Sequence, residues 1–218
     1  MTAARRLAAA AAAVVFLLAA CGTGTGGTGS GSGGTGSGGT GSGRAASGDV
    51  VGQGYQSGDG STRTWRAGDR GEPVSLAGTD FAGAPVDVSA WRGDVVVINT
   101  WYAACPPCRK EAPGLVGLAT KLAPERVHFV GLNGTDDAGA AQAFERTFAV
   151  PYPSIADTNG AAIADLQGAV PVQAVPTTVV LDREGRVAAR ILGLADRSTL
   201  KALIDEALAE TATPGAGS

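Results

Sequence analysis

Cys105 and Cys108 stand in the run Thr100-Trp101-Tyr102-Ala103-Ala104-Cys105-Pro106-Pro107-Cys108-Arg109-Lys110-Glu111. Two cysteines separated by two residues can close a small, reversible disulfide. The apolar run Val95-Val96-Val97-Ile98 leads into them and a helix-like segment follows. This order places Cys105 at a strand-to-helix junction, on the first turn of the helix. Free N–H groups and the partial positive charge at a helix start stabilise a thiolate there. The thiolate is the species that attacks disulfides. One short segment thus carries a nucleophile, a resolving thiol and a place that activates them.

The rest of the composition narrows the chemistry. The chain has three cysteines in 218 residues. Cys21 belongs to the N-terminal segment discussed below, which leaves one pair. A bridge closing so small a loop adds little stability, so the pair reads as chemical and not as a scaffold. A metal site would want four ligands, whereas there is a single histidine, His128, and no second Cys-x-x-Cys. No metal and no cofactor is expected. The net charge of −3 gives no basic patch for nucleic acid.

Residues 1–20 read as a signal segment: Arg5 and Arg6 supply positive charge, and the apolar stretch 7–20 is too short to span a bilayer comfortably. Its end, Leu18-Ala19-Ala20-Cys21, resembles a bacterial lipobox. That resemblance implies cleavage before Cys21, lipidation of its sulfur and a membrane lipid anchor on the outer face of the cytoplasmic membrane. Two or more acyl chains give a stable anchor. The alternative is an ordinary secretory signal with an incidental Cys21. Residues 22–43 contain only Gly, Thr and Ser and read as a flexible tether with an r.m.s. span of roughly 25 Å. Residues 44–69 read as an extension in which 54–56 and 62–65 flank Ser57-Gly58-Asp59-Gly60 as a hairpin. Residues 212–218 read as a disordered tail.

The globular part spans residues 70–211, one domain. Residues 74–76 and 86–88 read as short strands, 95–100 as a buried strand, and 106–122 as a helix with Pro106 at its first position and a kink at Pro113-Gly114. A strand at 127–132 follows, then a helix to Phe148 capped by Asp136 or Asp137, and a short helix opened by Asn159-Gly160. Strands at 177–181 and 186–192 join through Asp182-Arg183-Glu184-Gly185, and Ser198 caps a last amphipathic helix. This order implies an α/β fold: a mixed central sheet with helices on both faces and an extra N-terminal β-hairpin.

These segments together resemble the thioredoxin-fold, membrane-tethered thiol-disulfide oxidoreductases of the TlpA/ResA type, over about residues 72–210. The motifs are Trp91-Arg92-Gly93, Asn99-x-Trp101, Cys105-Pro106-Pro107-Cys108-Arg109-Lys110-Glu111-Ala112-Pro113, and Val175-Pro176-Thr177-Thr178 leading to Leu181-Asp182-Arg183-Glu184-Gly185. The resemblance implies that Pro176 is a cis-proline beside the disulfide. Val175 and Trp101 then contribute to substrate binding, Val175 through its backbone. It also implies that Glu111 is a buried carboxylate near the active site. The i,i+3 spacing puts Glu111 and Cys108 on one helix face, so a carboxyl with a raised pKa could move the Cys108 proton. The other reading is a solvated helix glutamate. Asn99 stands where cytoplasmic thioredoxins carry a buried aspartate, which moves acid–base duty to Glu111. Two positions depart from the family: Ala104 replaces a Trp, and Tyr102 replaces a small residue.

The expected reaction is exchange: the Cys105 thiolate attacks a target disulfide, and Cys108 then attacks the Cys105 sulfur. Pro106 and Pro107 lack N–H groups that could face that sulfur, which favours a reductant over a disulfide-donating oxidase. The resemblance implies disulfide-bearing protein substrates such as apocytochrome c, and a membrane thiol carrier as electron donor. Competing readings are a peroxidase, which wants Thr where Tyr102 stands; a copper chaperone using His128; and a lipoprotein with a structural disulfide.

Overall fold

The computed structural model describes residues 57–166 and 174–210. Cys21, the signal and tether segments, the 54–56 arm of the expected hairpin and the tail lie outside them. The elements are β1 (Thr62–Thr64), β2 (Ala77–Thr79), β3 (Pro85–Asp87), β4 (Val95–Thr100), α1 (Pro106–Leu122), β5 (Val127–Asn133), α2 (Ala138–Phe148), β6 (Ser154–Ala156), α3 (Ala161–Asp165), β7 (Thr177–Leu181), β8 (Val187–Leu192) and α4 (Arg197–Ala209).

Six strands form one sheet in the order β1-β8-β7-β4-β5-β6. β4, β5 and β6 run parallel, while β7, β8 and β1 continue antiparallel. All six residues of β4 are buried, because both of its faces are covered. Val95 and Val97 pack with Leu115 and Leu118 of α1 and Leu200 and Ile204 of α4. Val96 and Ile98 pack on the opposite face with Leu76, Val88 and Leu166. Pleating therefore sends odd-numbered residues of β4 toward α1 and even-numbered ones away. Asn99 is odd, and this decides what it meets.

α1 begins at Pro106, as expected, and continues through Pro113 to Leu122. Asp137 caps α2, which leaves Asp136 free for another contact. β1 passes through 62–64 and pairs in the sheet with β8, and the 57–62 turn closes through Ser57 N–H to Thr62 O. Two expectations are corrected. Val74 and Leu76 are buried without being a strand; the hairpin is β2 with β3, a separate two-stranded ribbon. Asp196, and not Ser198, caps α4, its carboxylate accepting from the N–H groups of Ser198 and Thr199.

Candidate active site

The site sits where β4 ends and α1 begins. Cys105 is the residue just before α1, in extended conformation, and its Sγ accepts from the Cys108 N–H at 3.2 Å. Cys105 and Cys108 are disulfide-bonded, with Cα atoms 5.3 Å apart. Both are buried, in a cluster with Trp101, Ala112, Ala141 and Phe144. The Trp101 ring stacks on Phe144 at 4.4 Å and is only 5 % exposed. Trp101 therefore supports the pair from beneath; it offers a substrate little surface.

Gly131 explains how so large a ring fits. It faces α1 from β5, and a Cβ there would stand 2.5 Å from both Trp101 Nε1 and Ser154 Oγ. Only a residue without a side chain lets the indole lie flat against the sheet.

Val175 and Pro176 arrive from the loop before β7, joined by a cis peptide bond as expected for this proline. Val175 packs, half-buried, against the cluster that holds the cysteines. The Pro176 carbonyl accepts from the Gly193 N–H at 2.8 Å, which ties this loop to the one between β8 and α4.

Glu111 lies one helical turn beyond Cys108 on the inner face of α1 and is 4 % exposed. It is not a solvated helix glutamate. Oε1 accepts from Asn99 Nδ2 at 2.8 Å, and Oε2 accepts from the Ala195 N–H at 2.8 Å. Burial disfavours the charged form more than these two donors favour it, and the carboxyl is pushed up to about 7. Asn99 also donates to Thr178 Oγ1 at 3.1 Å. An aspartate at 99 would set a second carboxylate against Glu111, so the amide is the residue that fits. A cavity of about 10 Å³, room for one water, borders Cys108, Asn99, Tyr152 and Ser154. Asn99, which bonds Glu111, and Cys108 thus border the same cavity.

His128 is elsewhere. It pairs in register with Val96, near the start of β4, while the cysteines follow its end. Its ring stacks on Trp91 at 4.8 Å and its Nε2 lies 2.9 Å from Asp94 Oδ2. It is the strand-end residue expected and cannot join the cysteines in one site. Tyr102, half-buried, packs beside the pair.

Three contributors escaped the sequence. The Ala195 N–H is a main-chain donor 84 residues from Glu111, so no side-chain pattern marks it. Thr178 was visible in the Val-Pro-Thr-Thr run, but its partner was not. Asp136 could be read only as a helix cap; its carboxylate instead accepts from the Ala103 N–H.

The sequence matches the Redoxin family over residues 66–204. It is 30% identical over 166 residues to the thiol:disulfide interchange protein HelX of Rhodobacter capsulatus, covering 74% of this chain and 90% of that one. It is 27% identical to a thiol-disulfide oxidoreductase ResA of Bacillus thuringiensis, covering 56% of this chain and 68% of the relative. Among solved structures, a secreted thiol-disulfide isomerase from Corynebacterium glutamicum superposes with a TM-score of 0.65 at 28% identity, covering 72% of this chain and 97% of that one. With its cysteine pair, buried carboxyl and mixed six-stranded sheet, the chain belongs to the Redoxin family as a thioredoxin-fold thiol-disulfide oxidoreductase.

Proposed function

We propose that this oxidoreductase is a lipid-anchored reductant of protein disulfides outside the cytoplasmic membrane. The observation that carries the direction is the surroundings of the Cys105 sulfur. Among the described residues, its one hydrogen bond comes from the Cys108 N–H. Pro106 and Pro107 have no N–H to offer. A sparsely hydrogen-bonded thiolate is less stabilised, which makes the couple more reducing.

The cycle starts from the reduced pair. The Cys105 thiolate attacks one sulfur of a target disulfide, and the other target sulfur leaves as a thiolate. Cys108 passes its proton toward Glu111, whose carboxyl titrates near neutral pH, and attacks the Cys105 sulfur. The second target sulfur leaves. The target has gained two electrons and the pair has lost two. A membrane thiol carrier restores it. Val175, beside the pair, aligns the substrate segment through its backbone, as in strand addition.

The lipobox-like Leu18-Ala19-Ala20-Cys21 and the tract at 22–43 support an anchored domain with reach. The TlpA/ResA resemblance favours apocytochrome c, whose haem-binding cysteines must be reduced, as the substrate. Deleting the gene is then expected to abolish c-type cytochromes and added thiol to restore them. Normal cytochrome levels in the deletion strain would refute that substrate.

A further inference from the structure

The two central residues of the turn that delivers Cys105 carry nothing bulky. Ala103 and Ala104 carry only methyl groups, and Ala104 and Pro106 are exposed. Its backbone is gripped by charged groups instead. The Ala103 N–H donates to Asp136 Oδ2 at 2.5 Å, and the Ala103 carbonyl accepts from Arg109 Nη1 at 3.2 Å. Asp136 is itself fixed. The same Oδ2 accepts from Asn133 Nδ2 at 2.7 Å, and Asn133, fully buried at the end of β5, accepts through Oδ1 from the N–H groups of Thr135 and Asp136. The Arg109 guanidinium rests over the rings of Phe144 and Phe148 on α2. One residue of the active-site turn is thus held from both sides, by Asp136 from the loop after β5 and by Arg109 of α1.

We propose that Asp136 is a positioning residue of the exchange reaction, acting as a hydrogen-bond acceptor on Ala103, opposite Arg109, to fix how the turn presents the Cys105 sulfur to the helix start. The Cys105 N–H bonds to Tyr102 O at 3.1 Å and the Cys108 N–H to Cys105 Sγ at 3.2 Å, and both contacts depend on the shape of the turn. Releasing Ala103 lets the sulfur drift from the donor that stabilises its thiolate. The negative charge of Asp136 acts the other way, since a nearby anion disfavours a thiolate. Position and charge therefore have opposite signs and can be separated.

The inference rests on the exchange activity, and its test keeps the two apart. Reduced full-length protein is alkylated with iodoacetamide across pH, with the adduct on Cys105 followed by peptide mass spectrometry, and its exchange with oxidised glutathione is timed. Asp136→Ala is expected to raise the alkylation midpoint and slow exchange by about tenfold or more. Asp136→Asn keeps an acceptor oxygen for both donors and is expected to stay within about twofold of the parent, with a midpoint no higher. An Asp136→Ala protein that matches the parent overturns the proposal, and so does an Asp136→Asn protein as slow as Asp136→Ala. A parent that exchanges no disulfide would instead sink the activity itself. Should Asp136→Ala fail to fold, amide exchange at Ala103 decides: protection retained in Asp136→Asn supports the proposal, and an unprotected amide in the parent refutes it.

Discussion

Glu111 holds its carboxyl where the neutral form is favoured, and two consequences follow at the residue scale. Between about 4.5 and 7 the folded chain binds a proton that the unfolded chain has released, so unfolding free energy falls as pH rises through that window. The contribution is complete below about 4.5 and lost above about 7, with a total of roughly 3 kcal/mol. Glu111→Gln is expected to flatten this dependence in urea titrations at several pH values. The glutamine can accept from the Ala195 N–H through its oxygen, and Asn99 can turn to accept from its amide. The same variant is expected to slow the Cys108 attack by about 10²-fold near pH 7, seen as accumulating mixed disulfide. A variant with an unchanged slope and rate would leave Glu111 without an acid–base role. Its position was legible because the i,i+3 spacing from Cys108 fixes the helix face. Its second partner was not, because Ala195 contributes only a main-chain N–H from a distant loop.

Among the elements, β4, β5 and α1 set the site, and their fit depends on small details of shape. Gly131→Ala places a methyl against Trp101 Nε1 and Ser154 Oγ, neither of which is the end of a flexible chain. It is expected to cost about 1–3 kcal/mol in urea unfolding and to quench or shift Trp101 fluorescence. Asp196→Ala removes the α4 cap and is expected to cost about 1 kcal/mol in the same assay. The long buried strands and α1 were readable because apolar runs and Pro106 report burial and helix start directly. The errors fall where burial and pairing part company. Val74 and Leu76 have the alternation of a strand and bury their side chains, yet the Val74 N–H bonds to Gly185 O and the Leu76 O accepts from the Val88 N–H. β6 is only three residues long, too short to show a period.

At the scale of the whole molecule, the end of the sheet remote from the cysteines is closed by charge. Arg70, its side chain 3 % exposed, bonds Asp182 Oδ2 at 2.8 Å and both carboxylate oxygens of Glu210, and Arg186 also reaches Asp182. This cluster joins the segment after β1, the β7–β8 turn and the end of α4. Replacing Arg70 with Met leaves a buried aspartate with one cation fewer and is expected to cost about 3 kcal/mol, with the exchange rate unchanged. No sequence pattern announces such a cluster, since Arg70 lies 112 residues from Asp182 and 140 from Glu210. The thioredoxin architecture was legible because the cysteines, the Val-Pro-Thr-Thr run and the hairpin turn occur in one order. β1 was not assigned to the sheet, because three residues of mixed exposure carry no burial pattern. The central claim is that the pair at Cys105 and Cys108 works as a reductant. The most direct test is its reduction potential, measured by thiol trapping across a redox buffer series on a soluble form lacking residues 1–43. A value near that of thioredoxin, about −270 mV, is the expected result, whereas one near about −120 mV, the range of a strong disulfide donor, would contradict the account.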